Sequence, residues 1–341
     1  MIRLGTDVLR SRAGSFIPIV AAAAVLAVLP QVWFGDSTYT TGLVVNALVF
    51  AAYGIGFNLI FGSTNQLFLC VGALAAVGGY SAALLSDSAS LPIGLGILVG
   101  TVGAALLGGL LSWIAVRRSL GVIFTGVLTL VFSLAFGDFL LGQGNLTGGE
   151  TGHVLKSAAV RLSDSRLGGY YLFAGVVVAF LCIFRVLQLS RAGWAFRALR
   201  DDETAAELAG VNVTRYRIVA AMIGSGMIGL TGGLFAYSDG YISPATYAFD
   251  QVDVRVLVIV AFGGLGTLLG PVVGAAAFGY LDHALVNSGQ LQEFLYGLFI
   301  VAIFLAFRRG FAHTLVSLGR RLTRRRRDEV RPAAPAAPGP D

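Results

Sequence analysis

LPIGLGILVGTVGAALLGGLLSWIAV, residues Leu91–Val116, is a run of 26 residues without one charged side chain. Wound as an α-helix it reaches about 39 Å at 1.5 Å per residue. The hydrocarbon core of a bilayer is about 30 Å thick and is crossed by about 20 apolar residues. Gly96, Gly100, Ala104 and Gly108 recur at every fourth position, so they stack on one helix face where a neighbouring helix packs closely. The stretch reads as a membrane-spanning helix with a helical neighbour.

The same ruler, moved outward, gives about ten segments: Ile17–Phe34, Thr41–Gly62, Leu67–Leu85, Leu91–Val116, Leu120–Gly142, Gly169–Leu189, Ile218–Tyr237, Val252–Leu268, Gly270–Val286 and Phe294–Phe307. The third, eighth and ninth are short enough to be broken or re-entrant. Small residues recur by fours again at Gly54, Asn58 and Gly62, and at Ser225, Gly229 and Gly233. The fold class is therefore all-α, a polytopic membrane helical bundle of about 8–10 transmembrane helices. Composition agrees. Of 341 residues 56% are hydrophobic and 12% charged, with a mean hydropathy of +0.80, whereas a water-facing domain carries about 25% charge.

Basic residues orient the bundle. With ten spans and the N-terminus inside, the outer side receives Lys156, Arg161, Arg166 and Arg255, and the inner side the other 20 of 24. Cytoplasmic loops carry the excess of Arg and Lys in membrane proteins, so both termini are expected in the cytoplasm. The division is then a cytoplasmic N-terminus (1–16), a membrane domain (17–309) and a basic, then Pro/Ala-rich, disordered tail (310–341). The membrane domain carries an external loop at about 143–168 and a cytoplasmic loop at about 190–217. The first segment ends Pro30-Gln-Val-Trp-Phe34, without the small residues of a signal-peptide cleavage site, and is read as a retained helix.

Several function classes fall away. The net charge of +6 sits in short turns and the tail, which fits topology better than nucleic-acid binding. Cys70 and Cys182 lie in separate apolar stretches and read as small buried hydrophobes. His153, His283 and His313 are far apart, so no metal site is expected, and no cofactor either. The only lysine, Lys156, follows Leu155, which excludes a phosphate-binding Gly-Lys-Ser/Thr loop. Gly263–Pro271, GGLGTLLGP, lacks the third glycine of a dinucleotide fingerprint and reads as a tight cytoplasmic turn. Asp138, Arg185, Arg255 and Asp282 fall near segment ends, where long side chains snorkel, and no acidic residue is placed at a midplane. The catalytic constellation of a membrane enzyme is missing, and so are the clear internal repeats and midplane charge of a self-sufficient carrier or channel.

The most informative loop is SRAGWAFRALRDDETAAELAGVNVTRYRI, Ser190–Ile218. Asp201 or Asp202 caps a short helix, and Gly210 ends it in the left-handed conformation. That helix presents Ala205, Ala206, Leu208 and Ala209. Arg197 with Asp201, and Arg200 with Glu203, have the spacing of local ion pairs. The helix is either an amphipathic segment lying on the membrane or a docking surface for a cytoplasmic partner.

At this loop the chain resembles the inner-membrane permeases of branched-chain amino acid ABC importers. TAAELAG (204–210) resembles the Ala-Ala-x-x-x-Gly coupling signature of importer permeases. GSGMIGLTGGLFA (224–236), GYISPATYAF (240–249), FGGLGTLLGPVVGA (262–275) and LTGGETG (146–152) resemble further stretches of the family, over about residues 42–309. The first half departs, at STNQLFLCVGALAAVGGYSAALL (63–85) and SLGVIFTGVLTLVFS (119–133). Solute passage is expected there, so the resemblance leaves a branched-chain amino acid, a urea- or amide-type solute or another small polar compound open.

The resemblance implies a transporter subunit without an ATPase of its own, spanning a bacterial inner membrane many times. Its partners would be two cytoplasmic ABC ATPase subunits, a second homologous permease, an extracytoplasmic substrate-binding protein and the lipid bilayer. Arg197, Arg200, Asp201, Asp202, Glu203, Ala206 and Gly210 are the expected ATPase-coupling residues. Asn58, Asn65, Gln66, Thr125, Thr129 and Ser133 are the expected polar residues of the solute pathway, each of them also able to serve as an interhelical hydrogen-bonding group.

Overall fold

The computed structural model describes residues 16–33, 38–89, 92–155, 166–285 and 297–298. The expected N-terminal stretch (apart from Phe16), the tail, part of the external loop and most of Phe294–Phe307 lie outside these residues. Twelve helices follow in order among the described residues: α1 (Ile17–Trp33), α2 (Thr38–Thr64), α3 (Val71–Ala89), α4 (Ile93–Arg117), α5 (Val122–Gly142), a single turn α6 (Gly144–Thr147), α7 (Arg166–Leu189), α8 (Arg191–Asp201), α9 (Glu203–Leu208), α10 (Val213–Asp239), α11 (Asp253–Gly263) and α12 (Gly270–Leu285). A two-strand ribbon pairs β1 (His153–Val154) with β2 (Tyr241–Ile242), antiparallel. The protein is a helical membrane bundle.

Five helices among the described residues are long and apolar enough to cross a membrane: the stretches Thr40–Thr64, Ile93–Arg117, Val122–Gly142, Leu167–Leu189 and Val213–Asp239. Their apolar character runs around the helix without a polar face, as lipid on one side and protein on the other require. On α4 and α5 the outward residues include Leu98, Leu106, Ile123, Phe124 and Val131, all exposed. The expected span at Val252–Leu268 is helical only over the 11 residues of α11, about 16 Å at 1.5 Å per residue, too short to cross alone. The expected third span, Leu67–Leu85, starts with four non-helical residues, 67–70, the end of a break over 65–70. Both breaks fall on segments whose shortness suggested them.

Helix α10 is the centre, packed on α4, α3 and α2. Close approach is made by glycine. A Cβ on Gly78 of α3 would strike the backbone of Gly229 of α10, and one on Gly100 of α4 would strike Gly78. Three backbones therefore meet with no side chain between them.

The order long helix, stretch without α-helix, short helix, returning helix occurs twice. First come α2, residues 65–70, α3 and α4; then come α10, residues 240–252, α11 and α12. In each set the last two helices are antiparallel, since Gly100 meets Gly78 while Gly96 meets Ala82, and Gly274 meets Ile259 while Gly263 meets Gly270. The leading helices oppose each other, since Gly224 meets Ile60 while Gly56 meets Ile228. The two sets are inverted copies of one arrangement. This corrects the expectation of no internal repeat: the copies share geometry, not residue pattern.

Candidate functional site

Helix α2 stops at Asn65, whose φ is +55° and whose N–H still bonds to the carbonyl of Phe61 at 3.0 Å. The chain then runs without regular structure to Cys70, which is buried. Exposed backbone amides are not tolerated in hydrocarbon, so their partners decide whether this stretch is viable. The Leu69 N–H donates to Thr129 Oγ1 at 2.9 Å. The Val71 and Gly72 N–H groups, which open α3, donate to the two carboxylate oxygens of Asp253, the latter at 3.3 Å. Ser133 Oγ donates to the same carboxylate at 3.3 Å. Asp253 is 1% exposed and is the first residue of α11, so the positive ends of α3 and α11 meet at one carboxylate.

The polar pathway candidates divide. From successive turns of α5, Thr129 reaches the Leu69 amide and Ser133 reaches Asp253, and Gln66 lies within residues 65–70, its Oε1 accepting from Ser112 Oγ at 2.9 Å. Gln66 Nε2 is buried without a partner. Thr125 lies on the same face of α5, but its hydroxyl donates back to the Gly121 carbonyl at 3.1 Å. Asn65 is exposed at the turn. Asn58 sits elsewhere: its Nδ2 donates to the Thr267 carbonyl at 2.9 Å and its Oδ1 accepts from the Gly266 N–H at 2.7 Å. It closes the α11–α12 turn onto α2.

Sequence reasoning passed over Asp253, which stood at the edge of an expected span. A carboxylate next to the turn chemistry of GYISPATYAF was the available signal.

On another face, α8 and α9 form a hairpin. Asp202 is the cap, its Oδ1 accepting from the Ala205 N–H at 3.0 Å. The end of α9 is a Schellman arrangement: the Val211 N–H bonds to the Ala206 carbonyl at 3.0 Å and the Gly210 N–H to the Glu207 carbonyl at 2.9 Å, with Gly210 at φ +83°. Asn212 then caps α10, accepting from the Arg215 N–H at 2.9 Å. Ala206 is buried with Leu199 and Val213, whereas Ala205, Ala209 and Leu208 are exposed, Leu208 at 86%.

The charges pair differently from their spacing. Glu203 meets Arg217 of α10 in a two-pronged ion pair, 2.5 and 2.9 Å, in place of Arg200. Arg200 Nη2 donates to the Leu265 carbonyl at 3.4 Å. Arg197 stacks on Trp194, 4.4 Å from the ring centre, and donates to the Gly193 carbonyl at 3.2 Å, in place of Asp201. Asp201 is exposed at the end of α8. The contacts of Glu203 and Arg200 are tertiary and fasten the hairpin to the bundle, while those of Arg197 stay within α8. Arg185, Arg197 and Arg200 line a cleft of about 430 Å³ beneath it.

At the opposite face two family-like motifs meet. LTGGETG and GYISPATYAF join through the β1–β2 ribbon, with Tyr241 Oη donating to the Thr151 carbonyl at 2.9 Å. A cavity of about 580 Å³ opens between α2, the end of α10 and residues 245–255. Among the described residues no group of His, Cys, Asp and Glu has the makings of a metal site.

A membrane bundle of inverted halves, with helices broken at a buried polar junction and a capped hairpin on one face, has the architecture of a transport permease. Residues 39–307 match the family described as "Branched-chain amino acid transport system / permease component", and the chain belongs to that family. The chain is 28% identical to the high-affinity branched-chain amino acid transport system permease protein LivM of Escherichia coli (strain K12) over 278 residues, 73% of this chain and 64% of that protein. It is 23% identical to LivH of the same strain, over 68% of this chain and 80% of LivH. It is 30% identical to the fructose import permease protein FrcC of Rhizobium meliloti, over 41% of each chain. The chain thus spans just under two thirds of the LivM length. No solved structure matches it.

Proposed function

We propose that this chain is the membrane-spanning permease subunit of an ATP-binding cassette importer in a bacterial inner membrane. It carries a small polar solute inward, a branched-chain amino acid first among the candidates and a urea- or amide-type compound next. Two cytoplasmic ATPase subunits, a second homologous permease and an external substrate-binding protein complete the assembly. Both termini and the α8–α9 hairpin face the cytoplasm.

One observation carries this reading: α9 is fixed at both ends and offers an outward face of Ala205, Leu208 and Ala209. A six-residue helix does not stand alone in water. Here the Asp202 cap, the Schellman end and the Glu203–Arg217 pair hold it, which suits a surface that must receive a push. Hydrogen bonds lead inward from the hairpin, from Arg200 to Leu265 and from the Gly266–Thr267 turn to Asn58 of α2. ATP-driven closure of the ATPases would move α8–α9 and, through that turn, shift α2 and α11 against α5. The polar junction would thereby open to one side at a time.

The inverted repeat with broken helices favours a second reading, a self-sufficient secondary carrier. Against it, the Asp253 carboxylate already accepts from three donors, which describes a structural cap more than a titrating proton relay. Mild-detergent purification decides. Co-purification of an ATPase that is lost with Leu208→Arg, a change at an exposed position that leaves the caps intact, is the expected result. ATP-independent uptake by the purified chain alone would overturn the importer and support the carrier.

A further inference from the structure

We propose that the cleft beneath the α8–α9 hairpin is a binding site for the phosphate of an anionic phospholipid. The inference goes beyond the importer reading and holds for an importer or a carrier alike.

The cleft encloses about 430 Å³, and its wall brings Arg197 and Arg200 of α8 together with Arg185 of α7. Among the described residues no carboxylate lines it. Asp201 and Asp202 follow Arg200 in the chain, yet neither is in the wall, and Asp202 is engaged by the Ala205 amide. Like charges gathered without a counter-charge repel, the more so where water is partly excluded. Arg197 Nε donates to the Gly193 carbonyl and Arg200 Nη2 to the Leu265 carbonyl, and among the described residues neither enters an ion pair. A guanidinium has five N–H donors, so both keep donors for an anion. Arg185, engaged with Gln188 Oε1 at 3.0 Å, adds its charge at longer range. Ser63 and Gln188 bring a hydroxyl and an amide to the same wall. A wall rich in donors, with guanidinium forks among them, suits phosphate oxygens, which only accept.

Two features make a lipid the bearer of that phosphate. Ile183 and Val186, in the last two turns of α7, are 41% and 56% exposed, so acyl chains can run along the helix whose end reaches the cleft. Trp194, in the wall and 71% exposed, is a residue type that settles at membrane interfaces, and Arg197 stacks over its ring. Basic pockets between membrane helices on the cytoplasmic side hold anionic headgroups. Gly266, at φ +73°, lies against the Arg200 guanidinium, where a Cβ would displace it. A headgroup held there bridges α8 to α7 and to the α11–α12 turn, and so braces the hairpin against the bundle.

The test uses the full-length chain in a neutral detergent, with phosphatidylglycerol as the probe and zwitterionic phosphatidylcholine as the control, read by native mass spectrometry. Phosphatidylglycerol should bind about tenfold tighter or more, the equivalent of one charge-assisted hydrogen bond. Arg197→Gln and Arg200→Gln should each remove most of that preference. Arg197→Lys should retain part of it, which separates lost charge from misfolding. Changing Arg324, Arg325, Arg326 and Arg327 of the tail to Gln should leave the preference as it is. Excess inorganic phosphate should not displace the lipid, since it lacks the acyl contacts. Equal binding of the two lipids, or an unchanged preference in both Gln variants, overturns the site. If that unchanged preference comes with loss of a co-purifying ATPase, the arginines serve the partner protein instead. A preference lost with the tail arginines assigns lipid binding to the tail and overturns the cleft. Displacement by inorganic phosphate makes the cleft a site for a free anion and removes the lipid.

Discussion

Helices α3 and α9 begin with the same difficulty, amide groups that have no acceptor within the helix. They meet it in opposite ways. The cap of α9, Asp202, lies three residues from the amide it serves and is exposed. The cap of α3, Asp253, lies 181 and 182 residues from its amides and is fully buried. A local cap adds stability to one turn and asks nothing of the rest of the chain. A remote cap exists only when both inverted halves are assembled, so it binds the two halves to one geometry. The α8–α9 hairpin can shift with its own caps intact, whereas the junction cannot move without exchanging partners.

The largest effect should follow from Asp253→Ala. Val71 N–H, Gly72 N–H and Ser133 Oγ would all lose their acceptor away from water, and each unsatisfied buried group costs about 1–3 kcal/mol. A loss of roughly 3 kcal/mol or more is expected, read as a clear fall in the melting temperature of the purified permease. Asp253→Asn keeps an acceptor oxygen and should recover about half of the loss. A wild-type melt for Asp253→Ala would show that the remote cap ties nothing together.

The same contrast explains what was legible in the residues. The bundle followed from charge-free runs such as Leu91–Val116, because lipid imposes a composition. The hairpin caps followed from the adjacent Asp201 and Asp202, of which Asp202 caps, and from Gly210, because a cap and its helix are neighbours in the chain. The junction was only partly legible. Thr129 and Ser133 stood out as polar groups in an apolar helix, but nothing along the chain shows that they face residues 65–72 or that Asp253 arrives from the other half. The ion pairs failed for the same reason: Arg200 is three residues from Glu203, yet Arg217, fourteen away, holds it. The inverted repeat was invisible because its copies share directions and breaks while the 6 residues of one gap correspond to 13 in the other.

Thr129→Val comes next. It keeps the side-chain shape but removes the acceptor of the Leu69 N–H, at a cost of about 2 kcal/mol. The melt should fall less than for Asp253→Ala, since one amide is orphaned and not two. Equal losses would mean that residues 65–70 collapse as a unit.

Glu203→Gln is smaller still. The Arg217 side chain is 10% exposed and that of Glu203 47%, so the pair is screened on one side only. About 1–2 kcal/mol is expected, between an exposed pair and a buried one. The loss should appear as faster hydrogen exchange over 203–210 with little change in the global melt. Combined with Arg217→Met, the two changes should cost less than their sum. Additive losses would show that the pair contributes nothing as a pair.

The smallest effect is expected from Asp202→Ala, which breaks the comparison if it does not stay small. Losing an N-cap acceptor costs about 1 kcal/mol, and water can reach the freed Ala205 amide because Asp202 and Ala205 are both exposed. Exchange of the α9 amides should quicken about fivefold, that ratio being the equivalent of 1 kcal/mol at 25 °C. The global melt should stay within a degree of the wild type, since no contact between the halves passes through Asp202. If instead the melt falls as far as for Asp253→Ala, the hairpin is not a unit that moves on its own. Its cap would then belong to the core, and a push on α9 would have to be paid for by unfolding the bundle beneath it.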